Sequence, residues 1–303
     1  MGDDTIVEEI EKKIDYTVAK KPITLRSITW KRFKKNKLAL VGLILISILA
    51  IIAIFADFIA PYPATTVDYV NKKLPPSKEH ILGTDELGCD VLSRLIYGAR
   101  ISLSIGLVAV CLYVSIGILI GSISGFFGGW IDAILMRFTD VIISFPWLIL
   151  VIIVAAILGP SIYNVMLVIG LTGWSTVARL VRGEFLKLKE MEYTLAAKGL
   201  GAKNFRIIFT HLLPNAFAPV LVAATMGVAD AIIIEAALSF LGLGVVFPDT
   251  SWGQMMNAAQ SLTVLSRMPW LWLPPGILIS VAVLCINFIG DGLRDALDPK
   301  LIR

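Results

Sequence analysis

Five stretches of this 303-residue chain contain no Asp, Glu, Lys or Arg: 38–56, 101–131, 141–178, 207–229 and 268–290. A helix needs about 20 consecutive apolar residues to cross the hydrocarbon core of a bilayer, and runs this long exceed what a soluble core helix uses. Composition agrees: 57% of the residues are hydrophobic and 17% charged, against about 45–50% and about 25% in soluble domains. The chain is therefore expected to be an all-α polytopic membrane protein. Gly and Pro punctuate the apolar runs, and such residues mark helix boundaries. They place six transmembrane helices at 38–60, 101–125, 131–158, 162–180, 216–243 and 271–293.

The polar start of the chain, 1–37, precedes the first run, so the first helix is expected to be retained as an uncleaved anchor. With the N-terminus inside, segments 1–37, 181–215 and 293–303 carry 19 Lys and Arg, while 61–97 and 244–270 carry 5. Cytoplasmic loops hold the basic excess, so both termini are expected in the cytoplasm. The basic run Lys31-Arg32-Phe33-Lys34-Lys35-Asn36-Lys37 abuts a span and suits anionic membrane lipid rather than nucleic acid. Two loops are long, 61–97 outside and 181–215 inside. In the outer one, Val91, Leu92, Leu95 and Ile96 share one helical face. This segment, 90–98, is either an amphipathic helix on the outer surface or the first turns of the second span.

Several chemistries are disfavoured. Cys89, Cys111 and Cys285 make no disulfide framework, and two histidines far apart, His80 and His211, offer no metal cluster. An intramembrane enzyme needs a nucleophile–base pair or a metal at one depth. A secondary transporter would be supported by internal repeats and broken helices, and no repeat is seen. Charges within spans are costly and default to function. Asp57, Arg137, Asp140, Arg179, Asp230, Glu235 and Asp291 qualify. Arg137 and Asp140 are spaced to pair on one helix face. Asp230 is deepest, and Asp140, Asp230 and Glu235 are the candidates for a pathway or a partner interface. Asp230 is expected to face that interface and Glu235 to lie nearer the outer mouth. Gly117, Gly121 and Gly125 form a close-packing stripe.

The inner loop contains Ala196-Ala197, Gly201 and Leu213-Pro214. This resembles the EAA loop of permeases of binding-protein-dependent ABC importers, E-A-A-x3-G-x9-I-x-L-P, with Leu195 in place of Glu and His211 in place of Ile. Segment 82–95 resembles the LGTDxxGRDVLSRL stretch of the peptide and nickel branch, with Cys89 in place of Arg. Segments 235–244 and 290–299 are similar to further stretches of that branch. The whole pattern looks most like the second permease of oligopeptide or dipeptide importers.

The resemblance implies one N-terminal span ahead of a five-helix, type I importer core, a permease domain over 98–295 and a cytoplasmic tail over 296–303. It implies a coupling helix at about 193–202 that docks on an ATPase, with Glu192, Tyr193, Ala196, Ala197, Gly199, Gly201, Ala202, Asn204 and Phe205 at the contact. It also implies a non-catalytic chain in a bacterial or archaeal cell membrane. No cofactor is expected on it, since it has no G-x4-G-K-[ST] phosphate loop. ATP and Mg would sit on two cytoplasmic ATPase subunits. A homologous permease would complete a heterodimer, and an extracytoplasmic binding protein would deliver peptides. Similar machinery carries nickel chelates and oligosaccharides.

Overall fold

The computed structural model of the chain describes residues 25–297, so 1–24 and 298–303 of the expected tails lie outside the described residues. The architecture is all helical. A short helix, α1 (Leu25–Phe33), precedes the first apolar helix, α2 (Lys37–Ile54). Asn36 starts α2 by accepting a hydrogen bond from the Ala39 amide at 3.1 Å, as an N-cap asparagine does. The only buried residues of α2 are Ala39, Gly42 and Ala53. They lie against the last helix, α14, defined below: a Cβ on Gly42 would fall 2.6 Å from the Cys285 carbonyl oxygen. Small residues let backbones approach where lipid supplies no hydrophobic drive. Leu43, Ile46 and Leu49 are partly buried against the protein, while Leu38, Ile44, Leu45, Ile48 and Ile51 face outward. A single turn, α3 (Ala56–Ile59), ends it.

The second long helix, α4, covers Val91–Phe127 without interruption. Its 37 residues extend about 55 Å, well beyond a bilayer core of about 30 Å. Segment 90–98 thus forms the first turns of this helix and not a separate helix. Asp90 caps its start, accepting from the Ser93 amide at 2.8 Å. Val91 and Leu95 are buried against the protein, so their face meets protein rather than headgroups.

The expected third span, 131–158, is broken. Helices α5 (Gly129–Ser144) and α6 (Trp147–Leu158) meet at 86°. Phe145-Pro146 is the cause. Proline donates no hydrogen bond and clashes with the preceding turn, and it drives the residue before it out of the helical region. Phe145 accordingly has φ −82° and ψ 139°. Helices α7 (Ile162–Thr172) and α8 (Trp174–Lys189) join through Gly173, so the fourth span continues past 180 to Lys189.

After α9 (Glu192–Gly199) comes α10 (Asn204–Arg206), one wide π turn (Ile207–Leu212), and α11 (Leu213–Phe240). The expected fifth span, 216–243, corresponds to α11, and Pro214 does not mark its boundary. Pro214 sits in the first turn of α11, where its missing donor costs little, and the π turn absorbs the change in register. Beyond α12 (Trp252–Met256) and α13 (Leu262–Arg267), α14 (Pro269–Leu297) closes the fold. Among the described residues five helices are long and apolar enough to cross a bilayer, and the bent pair α5/α6 makes a sixth crossing if it counts as one span.

Helices α4 and α11 are central. One apolar cluster joins them to α6, α7 and α8. Another joins α4 to α2, α12 and α14. The glycine stripe lies at the first of these contacts. A Cβ on Gly117 would fall 2.6 Å from Val177 Cβ, one on Gly125 2.6 Å from Phe185 Cβ, and one on Gly121 against the Ala178 carbonyl. We expect Gly121→Val to destabilise the protein by about 1–3 kcal/mol through overpacking. Gly183 of α8 has open space around its Cα, so Gly183→Ala should be neutral or stabilising by about 0.5–1 kcal/mol. Thermal unfolding of the purified protein in detergent checks both. Equal effects would remove the close-packing assignment.

Candidate functional site: an inner tip, a mid-span cavity and an outer clasp

At the end expected to face the cytoplasm, the inner end, α8 is held to its neighbours by charge. Arg182 donates to both oxygens of Asp132 at 2.6 Å, and the Lys189 ammonium donates to the Phe126 carbonyl at 2.7 Å. Beyond it, the buried Thr194 hydroxyl donates to the Leu188 carbonyl at 2.8 Å, fastening α9 to the end of α8. Ile207 and Leu212 anchor the other side of this tip in the apolar core. Between these anchors large apolar side chains stand open beside the exposed Lys198, Lys203 and Arg206. Leu200 is 89% exposed, Phe205 71% and Leu195 55%. The Phe205 and Phe209 rings lie 4.3 Å apart. Gly201 turns the chain at φ +80°, and neither Gly199 nor Gly201 has any atom of this chain near the place of a Cβ.

Of the nine residues expected at a coupling contact, Glu192, Tyr193, Ala196, Gly199, Gly201, Asn204 and Phe205 are exposed, and Ala197 and Ala202 are half-buried. Sequence reasoning missed Thr194, whose role depends on a bond to the preceding helix, and Leu200, whose exposure only the turn at Gly201 reveals.

At mid-span, the broken end of α5 borders a cavity of about 540 Å³. The Asp230 carboxylate lines it and has no hydrogen-bond or ion-pair partner among the described residues. Tyr113 reaches from α4 to this place on α11 because Gly227, one turn before Asp230, has no Cβ: one there would collide with the Tyr113 hydroxyl. Asp140 pairs with Arg179 at 2.5 Å and not with Arg137, as the i, i+3 spacing suggested. The pairing partner comes from α8 because α5 lies alongside it.

Glu235, also expected near the pathway, is fully buried within this chain. The Ser102 hydroxyl donates to its Oε2 at 3.1 Å and the Ser239 hydroxyl to its Oε1 at 2.8 Å. Ser251 adds a third side-chain hydrogen bond. Ser102 in turn accepts from the Trp252 amide at 3.1 Å, and Ser239 from the Val245 amide at 3.0 Å. Five residues from Asp230 on one helix, Glu235 points the other way, into a knot that ties α11 to α4 and to the segment entering α12.

The outer segment 82–95 is a folded clasp. Asp85 accepts from the Leu87 and Cys89 amides at 2.8 and 2.9 Å and pairs with Arg94. Arg94, 5% exposed, also donates to Gln254 Oε1 at 2.7 Å and Thr250 Oγ1 at 3.2 Å. His80 Nδ1 lies 2.9 Å from Asp90. Cys89 is fully enclosed, and burial pushes its thiol up to about 11. This clasp binds the outer loop to the α12 segment, 160 residues away, and no local pattern announces that link. Among the described residues no three His, Cys, Asp or Glu side chains are grouped to hold a metal.

Comparison with known proteins agrees with this layout. Residues 117–303 match the family described as "Binding-protein-dependent transport system inner membrane component". Residues 24–76 match "N-terminal TM domain of oligopeptide transport permease C". The oligopeptide transport system permease protein OppC of Bacillus subtilis is 45% identical over 284 residues, covering 94% of this chain and 92% of that protein. The dipeptide transport system permease protein DppC of the same organism is 42% identical over 302 residues, covering 99% and 94%. An inward-facing structure of the MetNI methionine ABC transporter shares the fold, with a TM-score of 0.54 at 18% identity over 68% of this chain and 97% of the matched one.

Removing the Glu235 carboxylate leaves buried hydroxyls without their acceptor, which costs about 1–3 kcal/mol. Glu235→Ala should lower the unfolding temperature clearly, and Glu235→Gln, which retains an acceptor, much less. Wild-type stability in Glu235→Ala would contradict the structural role given to this residue.

Proposed function

The chain belongs to the family of binding-protein-dependent transport system inner membrane components, and we propose that it is one of the two permease subunits of an ATP-driven peptide importer. Within this reading the chain is a multi-pass cell-membrane protein of a bacterium or archaeon with both termini in the cytoplasm. It performs no catalysis. Two cytoplasmic ATPase subunits bind ATP and Mg, a homologous permease lies opposite, and an extracytoplasmic binding protein delivers the cargo. Peptide cargo is supported by relatives that carry oligopeptide and dipeptide transport in their names.

The observation that carries the coupling role is the inner tip. Leu195, Leu200 and Phe205 are apolar and exposed, and an apolar patch left open on a rigid support marks a protein contact. Gly199, Gly201 and Ala196 leave room for a partner surface to approach the backbone. The Thr194 bond and the Ile207 and Leu212 anchors make this tip one body with α8 and α11. Closure of the ATPases would then move those helices, which border the mid-span cavity with Asp230. Asp230 and the Asp140–Arg179 pair are proposed to face the partner permease across the pathway.

The test uses the assembled importer in lipid vesicles with ATP-dependent uptake of a labelled di- or tripeptide. Gly199→Trp adds bulk without requiring a left-handed backbone. We expect it to cut uptake at least about tenfold and to release or uncouple the ATPase subunits, with the permease still in the membrane; a loss of about 1.4 kcal/mol in the coupled step suffices. Gly201→Trp should act likewise. Normal uptake by both variants would argue against docking at this tip, and no uptake by the native complex would argue against peptide cargo.

A further inference from the structure

We propose that the mid-span cavity is a subsite for a cationic group, in which Asp230 is the counter-charge for an ammonium group of the cargo, either the amino terminus of a peptide or a basic side chain. This rests on the importer reading given above and adds the chemistry that the pathway selects.

Three features converge on one sign of charge. Asp230 is the only Asp, Glu, Lys, Arg or His among the residues lining the cavity, and no neighbouring cation neutralises it. One turn further inward on α8, Arg179 is already engaged by Asp140 at 2.5 Å. That pair contributes little net field. The second feature is the end of α5. Its helix stops at Ser144, and Pro146 has no amide to offer the turn before it. The Phe145 amide reaches only the Ile142 carbonyl, at 3.3 Å. The final carbonyls of α5 are therefore left short of donors next to the cavity, where Ile142, Ile143 and Phe145 form the wall. A helix C-terminus carries roughly half a negative charge. Third, Tyr113, Phe145 and Trp147 line the same space, and aromatic faces attract desolvated cations.

A carboxylate, an open helix C-terminus and aromatic faces all favour a cation and disfavour an anion. An ammonium suits the set best: it donates several hydrogen bonds at once and needs no fixed planar geometry. The cavity volume of about 540 Å³ lies within the range of about 300–1,000 Å³ usual for small-molecule sites. Glu235, five residues away, is excluded from this role by its serine knot.

The experiment reads the charge selectivity of the cavity directly, independent of any binding protein. Thr176 is exposed and lines the cavity, so a cysteine in its place puts a thiol at the cavity wall. In the assembled importer in membrane vesicles, with Cys89, Cys111 and Cys285 replaced by alanine, Thr176→Cys is treated with two water-soluble methanethiosulfonates of similar size. One carries a trimethylammonium group and the other a sulfonate. Each rate is divided by the rate with a small free thiol. The normalised ratio should favour the cationic reagent, and adding Asp230→Asn should lower it at least about fivefold, as expected for removing a unit charge within several ångströms in a partly wet site. Asp230→Glu should keep the ratio near its original value. An unchanged ratio in Asp230→Asn overturns the inference, as does failure of both reagents to reach position 176 with or without ATP. Peptide uptake by the same vesicles with the native chain is scored separately. Its absence would overturn the peptide reading while the charge ratio still reports on the cavity.

Discussion

Backbone hydrogen bonding in a medium without water governs this structure. Within lipid every amide and carbonyl must find a partner inside the protein, and a continuous helix is the simplest solution. Departures from it are tolerated only where the freed groups face protein or a wet space. The chain departs at a few defined places: the 86° break at Phe145-Pro146, the junction at Gly173, and the wide turn Ile207–Leu212 ahead of Pro214. The break and the Gly173 junction border the mid-span cavity, and the wide turn lies at the root of the inner tip. The irregularities thus cluster along one route from the inner tip to the cavity.

Two carboxylates five residues apart on α11 illustrate how placement decides role. Glu235 is enclosed by hydroxyl donors and knits α11 to α4 and to the segment before α12. Asp230 lines a cavity, and its carboxylate has no partner among the described residues. Burying a charge without a partner is costly, so one acid is satisfied by the protein itself and the other is left facing a cavity. A helix turns 100° per residue, so five residues place the two acids on well-separated faces. Sequence spacing therefore flagged the separation but not which face was wet.

Much of the fold was legible in advance because its cause is local. Charge-free runs set the helices, and the glycine stripe Gly117, Gly121, Gly125 announced the packing against α8. What escaped depends on distant residues or on backbone detail. Arg94 reads as a surface cation, yet it is buried by Thr250 and Gln254 from the far end of the chain. Asp140 reads as a partner for Arg137, yet the side-by-side lie of α5 and α8 hands it to Arg179. Pro146 was visible, but within an apolar run a proline can kink a span or break it, and only the surroundings decide. At the inner loop the small residues were legible, while the exposure of Leu200 needed the left-handed turn at Gly201.

The account stands or falls on the inner tip as the place where ATPase motion enters the membrane. The most direct measurement is site-directed cross-linking from Leu200, the most exposed large apolar residue of that tip. A single Leu200→Cys chain, otherwise free of cysteine, is assembled with its ATPase subunits in inverted vesicles and treated with a short bismaleimide. A covalent product with an ATPase subunit, with a yield that changes when ATP binds, is the predicted result. Absence of any product, or labelling of position 200 only from the opposite face of the membrane, would contradict it.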